Sequence, residues 1–195
     1  MEALRALATL SESRRVNALV HTVHAERFNR LIAAFSPQSQ MRMIQVTKVG
    51  AETAVTLSEA VERGDWVVMA GDRVAVGESG GRATWVPFIG ELAPFPQGPY
   101  ILASLLKCPT YLMFCLRHGD RYEVHFRKLA DRVTLPRHRR SEAIRSYAQD
   151  FVGTLEEHVA MAPFQWFNFF DFWRPAGIGP PPTKHADEFT EEACR

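Results

Sequence analysis

Apolar positions along the chain change their period several times, and each change marks an element. Leu4, Leu7, Ala8 and Leu10 recur at helical spacing, so a helix is expected over Glu2–Leu10. Val16–His21 is a short apolar run of strand character. Phe28, Leu31, Ile32 and Phe35 fall at i, i+3, i+4 and i+7, which predicts an amphipathic helix over Ala25–Phe35. Ser36-Pro37 closes it, because the residue before a proline is pushed out of the helical region. Met41–Val46 reads as a strand. Glu52–Arg63 reads as a helix with Ala54, Leu57 and Val61 inward and Gly64 at its C-terminal cap. Trp66–Ala70 is the continuous apolar run expected of a buried parallel strand.

Helix and strand have alternated three times by this point. That pattern predicts an α/β fold with a mixed, mainly parallel sheet flanked by helices. Ligands of such sheets bind beyond the carboxyl ends of the strands, so Gly71-Asp72-Arg73 falls where chemistry is expected. Val74–Arg82 reads as a glycine-bearing loop, Ala83–Ile89 as a short strand, and Gly90–Pro99 as irregular on its glycines and prolines. A helix is expected over Tyr100–Lys107, then two strands, Thr110–Arg117 and Tyr122–Phe126, joined in a hairpin by His118–Asp120. Ser141–Met161 is a long helix with Ile144, Tyr147, Ala148, Phe151, Leu155 and Val159 at core spacing. Seven of the eleven residues of Pro163–Trp173 are aromatic, and this block is expected to pack rather than stand free. Arg174–Arg195 holds Pro175, Pro180, Pro181, Pro182 and several charges and reads as a disordered tail, leaving residues 1–173 as a single domain.

Composition narrows the function classes. With 195 residues and 46% of them hydrophobic, the chain is too apolar for disorder over most of its length. A net charge of +1 supplies no global field for nucleic acid. Cys108, Cys115 and Cys194 are odd in number and lack metal-ligand spacing, which fits reduced thiols in a cytoplasmic setting. No apolar run reaches the roughly 18–20 residues a bilayer needs, and no secretory signal opens the chain. Charge is uneven, however. Arg127–Arg145 holds Arg127, Lys128, Arg132, Arg137, Arg139, Arg140 and Arg145 against Asp131 and Glu142, a net +5. Such a cluster suits an anionic membrane surface, phosphate headgroups or an acidic carrier protein; a solvated loop and helix start is the plainer alternative.

Few groups have the spacing that chemistry needs. Asp72-Arg73 can position a polar substrate group or each other, or form a simple surface ion pair. The glycines of Pro87–Gly90 and Phe95–Pro99 permit close backbone approach, and the helix that follows would offer free N–H groups to an anion; a plain connection is the alternative. The histidines lack metal spacing, and no nucleophile elbow, Walker loop or dinucleotide fingerprint occurs. Cys108 and Cys115 sit in or beside apolar runs as packing thiols. The aromatic block is either the last packed segment or a hydrophobic lip at a membrane or acyl pocket.

Several blocks gain meaning from their order. They are Asn17-Ala18-Leu19-Val20-His21, Ser58–Arg63 leading through Gly64-Asp65-Trp66-Val67-Val68 to Gly71-Asp72-Arg73, and Val86-Pro87-Phe88-Ile89-Gly90. Ala93, Phe95-Pro96-Gln97-Gly98, Leu102-Ala103, Leu155-Glu156 and Pro163-Phe164-Gln165-Trp166 follow. Over nearly the whole chain this series resembles the bacterial lipid A biosynthesis acyltransferase family, within the lysophospholipid acyltransferase superfamily. The Asp72-Arg73 pair and the Trp166–Trp173 ending are similar to a subgroup of predicted acyltransferases close to lipid biosynthesis glycosyltransferases.

The resemblance implies transfer of a fatty acyl group from a thioester, on acyl carrier protein or coenzyme A, to a hydroxyl of a glycolipid or lysolipid. It implies a His-x4-Asp/Glu motif in which histidine is the general base and the acid orients it. Glu2 stands where that acid belongs, opening the first helix, and the histidine would fall five residues before it. The chain is therefore expected to be N-terminally truncated, without that base and without the membrane anchor that family members often carry. Asp72 matches the family's active-site carboxylate. Arg42, thirty residues earlier, is the nearest match to an arginine that the family places between the second helix and the next strand. Arg73, Phe88, Gly90, Pro96 and Gly98 are the expected substrate-binding positions. No cofactor or metal is implied. The implied partners are the acyl donor, a lipid acceptor and a membrane surface, with no nucleic acid, at the cytoplasmic face of the bacterial inner membrane as a peripheral protein. A non-catalytic binding module with the same fold is the alternative. A phosphate-handling enzyme built on Asp72, Arg73 and the 90–99 loop is a third reading, which the resemblance disfavours.

Overall fold

A computed structural model describes residues 14–20, 41–45, 51–74 and 82–179. In chain order its elements are β1 (Val16–Val20), β2 (Met41–Gln45), α1 (Ala51–Glu62), β3 (Trp66–Met69), β4 (Ala83–Phe88), β5 (Glu91–Pro96), α2 (Gly98–Leu106), β6 (Thr110–His118), β7 (Arg121–Ala130) and α3 (Arg140–Met161). They fall into two compact units, Met1–Ala70 with Ile101–Val133, and Gly71–Tyr100 with Thr134–Arg195.

In the first unit β1 is flanked by parallel partners on both edges, in the order β2-β1-β3. Its Val16, Ala18 and Leu19 are buried, as an apolar central strand requires. Asn17 is the polar exception, and its Nδ2 donates to the Trp66 carbonyl at 3.3 Å. Helix α1 ends in a Schellman motif. Gly64 takes φ +85°, its N–H donates to the Val61 carbonyl at 2.9 Å, and the Asp65 N–H reaches the Ala60 carbonyl at 2.9 Å. The cap also sets the strand that follows: the Asp65 carboxylate accepts from the Arg15 N–H at 3.2 Å, and the Trp66 N–H donates to the Arg15 carbonyl at 2.8 Å. Leu19, Leu57, Leu102 and Leu106 form the core, with Ile44, Val61, Val67, Met69 and Cys108 against it. Strands β6 and β7 make a long antiparallel ribbon turning at Gly119-Asp120, where Gly119 has φ +60°. The expected hairpin is there, and its second strand runs four residues beyond Phe126, to Ala130.

In the second unit β4 and β5 form a second antiparallel hairpin, with Ile89 at φ +51° and Gly90 at φ +82°. Positive φ at both turn residues is the type I′ geometry that matches strand twist. The sequence reads Gly90–Pro99 as irregular, but Glu91–Pro96 is a strand and α2 starts at Gly98. The prolines explain the difference. In a two-residue hairpin Phe88 and Glu91 are the hydrogen-bonded pair, so the alternate pairs Pro87–Leu92, Trp85–Pro94 and Ala83–Pro96 ask no N–H of their residues. All three prolines sit at those pairs. Gln97 closes the ribbon, its N–H on the Arg82 carbonyl at 2.9 Å and its Nε2 on the Ala83 carbonyl at 2.8 Å.

Helix α3 lies against β4 and buries Ile144, Ala148, Val152, Thr154 and Leu155. The Thr154 hydroxyl is satisfied locally, donating to the Asp150 carbonyl at 3.0 Å. Phe88 is fully buried at the centre of an aromatic cluster with Phe95, Trp166, Phe172 and Trp173, at centroid distances of 5.5, 5.0, 5.6 and 6.1 Å. The block expected to pack therefore divides. Phe172 is buried and Trp166 and Trp173 are half-buried, while Phe164 and Phe169 are 91% and 93% exposed and Phe167 is 60% exposed.

The mixed α/β class holds. A mainly parallel sheet does not: two of the three sheets among the described residues are antiparallel ribbons. Their strands adjoin in sequence through two-residue turns, which close only antiparallel pairs. The helices expected over Glu2–Leu10 and Ala25–Phe35 lie outside the described residues, as do residues 75–81 of the glycine-bearing loop. Of the expected tail, residues 174–179 are described; the Arg174 N–H donates to the Asp171 carboxylate at 3.1 Å, and its guanidinium stands 3.9 Å from Glu91.

Candidate functional site

Asp72 and Arg73 follow β3 in the chain and begin the second unit. Gly71, just before them, lies against the ring of Phe151 on α3. Asp72 is partly shielded. Its Oδ2 is 3.4 Å from Arg73 Nε. The Arg73 Nη2 donates to the Phe167 carbonyl. One guanidinium thus joins the carboxylate to the aromatic block. An exposed pair of this kind contributes only about 0–1 kcal/mol, so its value is in placement rather than in stability.

The expected binding turn is fixed from two sides. Trp173 Nε1 donates to the Phe88 carbonyl at 3.2 Å, and Glu156 Oε1 on α3 accepts the Ile89 N–H at 2.6 Å. Phe88 is buried beneath the turn, while Gly90 carries the positive φ that glycine alone adopts without penalty. Pro96 ends β5 and Gly98 opens α2. Arg73, Phe88, Gly90, Pro96 and Gly98 accordingly share one unit with Asp72.

The remaining expected residues are placed differently. Arg42 is the second residue of β2, exposed and in register with Asn17; it lies on the strand rather than before it, in the unit that does not contain Asp72. Glu2, His21 and His24 lie outside the described residues. Two His-x4-Glu spacings do occur within the chain, His21–Glu26 and His118–Glu123, and His118 Nε2 stands 3.6 Å from the Glu123 carboxylate on the β6–β7 ribbon. The basic run divides between the units after Val133, and Lys128 is engaged by Asp131 at 2.7 Å. That hydrogen bond holds the Lys128 ammonium above its usual range.

The sequence reading gave Glu156 and Trp173 no role at the turn, although both lie in blocks that carry the resemblance. Glu156 had a signal: it falls four after Val152 and one after Leu155, an acid inside the apolar stripe of α3. Trp173 had none beyond its aromatic context. Burial, with the charge of Asp150 adding, pushes the Tyr100 phenol well up; its ring stacks on Tyr147 at 6.3 Å. Burial likewise pushes the Cys108 thiol up, which disfavours the thiolate. Among the described residues no group of three or more His, Cys, Asp or Glu could hold a metal ion, and no helix is long and apolar enough to cross a membrane.

Taken as a class, this is a mixed α/β protein with a carboxylate–guanidinium pair joined to an aromatic block. Residues 6–175 match the family model for bacterial lipid A biosynthesis acyltransferase, and the chain belongs to that family. A comparison with curated proteins returned no match.

Proposed function

We propose that this chain transfers a fatty acyl group from an acyl thioester, on acyl carrier protein or coenzyme A, to a hydroxyl of a glycolipid or lysolipid. The family match over residues 6–175 carries this reading. In it, the acceptor oxygen attacks the thioester carbonyl, the C–S bond breaks, the thiolate leaves, and a general base takes the hydroxyl proton. Asp72 is the active-site carboxylate. Glu2 is the acid of the family's His-x4-Glu motif. Arg42, Arg73, Phe88, Gly90, Pro96 and Gly98 bind substrate.

The same reading puts the protein at a membrane surface, peripherally, on the cytoplasmic face of the bacterial inner membrane. Exposed Phe164, Phe167 and Phe169 support it, since solvent-exposed aromatic side chains gain by moving into the headgroup boundary.

The test is radiolabelled acyl transfer by two chains side by side: the 195-residue chain, and one extended so that histidine stands five residues before Glu2. General-base assistance contributes about 10²–10⁴-fold. The extended chain should turn over faster by a factor in that range. Equal turnover would move the base elsewhere, and His21→Ala and His118→Ala then decide whether the His21–Glu26 or the His118–Glu123 pair supplies it. Donor binding without turnover in both chains would establish the non-catalytic module instead.

A further inference from the structure

Ile89 is in an improbable conformation for its type. Positive φ at the first turn residue favours Gly, Asn or Asp, and a β-branched side chain there is an outlier. Yet Ile89 stands at φ +51° with half its surface exposed. An apolar side chain displayed at a turn tip, at a conformational cost, needs something to hold it and something to meet it.

What holds it is visible. The first N–H of a type I′ turn points away from the hairpin ladder. Here the Glu156 carboxylate takes it at 2.6 Å, a charge-assisted bond. On the other side of the same peptide unit, Trp173 Nε1 bonds the Phe88 carbonyl at 3.2 Å. The Phe88 side chain is fully buried below. The peptide between Phe88 and Ile89 is thereby gripped at both its oxygen and its nitrogen, by groups from two other segments of the same unit.

We propose that Glu156 is a positioning residue that locks the Ile89–Gly90 turn, so that the Ile89 side chain is held out as an apolar contact for the acyl chain of the lipid substrate. The acyl-contact half rests on the acyltransferase reading; the clamp does not. Glu156 touches no reacting atom and acts through Ile89.

Two readouts separate the halves. Amide exchange at Ile89, followed by NMR, reads the clamp directly. Glu156→Ala should speed it by roughly tenfold or more, the loss expected for a bond to a charged acceptor, while Glu156→Gln, which keeps an acceptor oxygen, should restore most of the protection. Dodecanoyl-coenzyme A binding reads the consequence. Affinity should fall several-fold in Glu156→Ala and recover in Glu156→Gln. Ile89→Asn suits the left-handed turn and removes the apolar contact, so it should bind more weakly while unfolding at a higher temperature than the parent chain. Unchanged Ile89 exchange in Glu156→Ala overturns the clamp. Fast exchange with unchanged affinity, or full affinity in Ile89→Asn, overturns the acyl contact. A parent chain that binds no dodecanoyl-coenzyme A overturns the acyltransferase reading and the acyl contact with it, while the exchange measurement still decides the clamp.

Discussion

The two hairpins of this chain are built on the same plan and finished in opposite ways. Both are antiparallel ribbons closed by two-residue turns, Ile89-Gly90 and Gly119-Asp120. The β4–β5 ribbon is short, yet Val86, Phe88, Ala93 and Phe95 are wholly buried under α3 and the aromatic block. The β6–β7 ribbon is longer. It buries Leu112 and Leu116 on one face and leaves Tyr111, Tyr122 and Phe126 about half exposed on the other. The turns differ likewise. Phe88 and Ile89 are bonded by Trp173 and Glu156, whereas Gly119 is met by its own strand, through Arg117 Nε on its carbonyl at 2.7 Å. A two-stranded ribbon has little stability alone, so what covers it decides its rigidity. The covered one is also the one that carries the expected binding residues.

That contrast can be broken most forcefully at Phe88. Phe88→Ala empties the centre of the aromatic cluster and should cost about 3–5 kcal/mol, read as a fall in the denaturant midpoint. A loss below about 1 kcal/mol would mean the cover is loose. A smaller effect belongs to Tyr100. Because its phenol is pushed up in the folded state, the unfolded chain ionises first, near the ordinary value of 10.0. Tyr100 therefore supports the fold fully below that pH, and the support is lost as pH rises beyond it. Thermal unfolding should shift down between about pH 9 and about pH 11 in the parent chain, and less so in Tyr100→Phe. Identical shifts would contradict the burial of that ring. The smallest effect is expected on the other hairpin: Phe126→Ser should change stability by no more than about 0.5 kcal/mol, since its ring has half its surface in solvent already. A cost approaching that of Phe88→Ala would erase the difference between the ribbons.

What could be read from sequence follows the range of the forces involved. Helix α1 and its Gly64 cap were legible because their signals lie within a few residues of one another. So was the β6–β7 turn. The β5 strand was not, because its prolines count as irregular until the partner strand fixes which positions need an N–H. The division of the aromatic block was hidden for a similar reason. Trp166, Phe172 and Trp173 are drawn in by Phe88, which lies 78 or more residues earlier, and no local pattern separates them from Phe164 or Phe169. Within the site, Asp72 and Arg73 were legible as a pair, but not the link from Arg73 to the Phe167 carbonyl. Glu156 left a trace as an acid in an apolar stripe, without a sign of its partner across 67 residues.

The most direct test of the whole reading is the acyl-transfer rate of Asp72→Asn in the histidine-extended chain, measured against its Asp72 parent with dodecanoyl thioester donor and a lipid acceptor. The substitution keeps the shape of the side chain and removes its charge. If Asp72 is the active-site carboxylate, the rate should fall on the order of 10²-fold while the fold, followed by its unfolding transition, is unchanged. Transfer by Asp72→Asn at the parental rate would contradict the role given to Asp72.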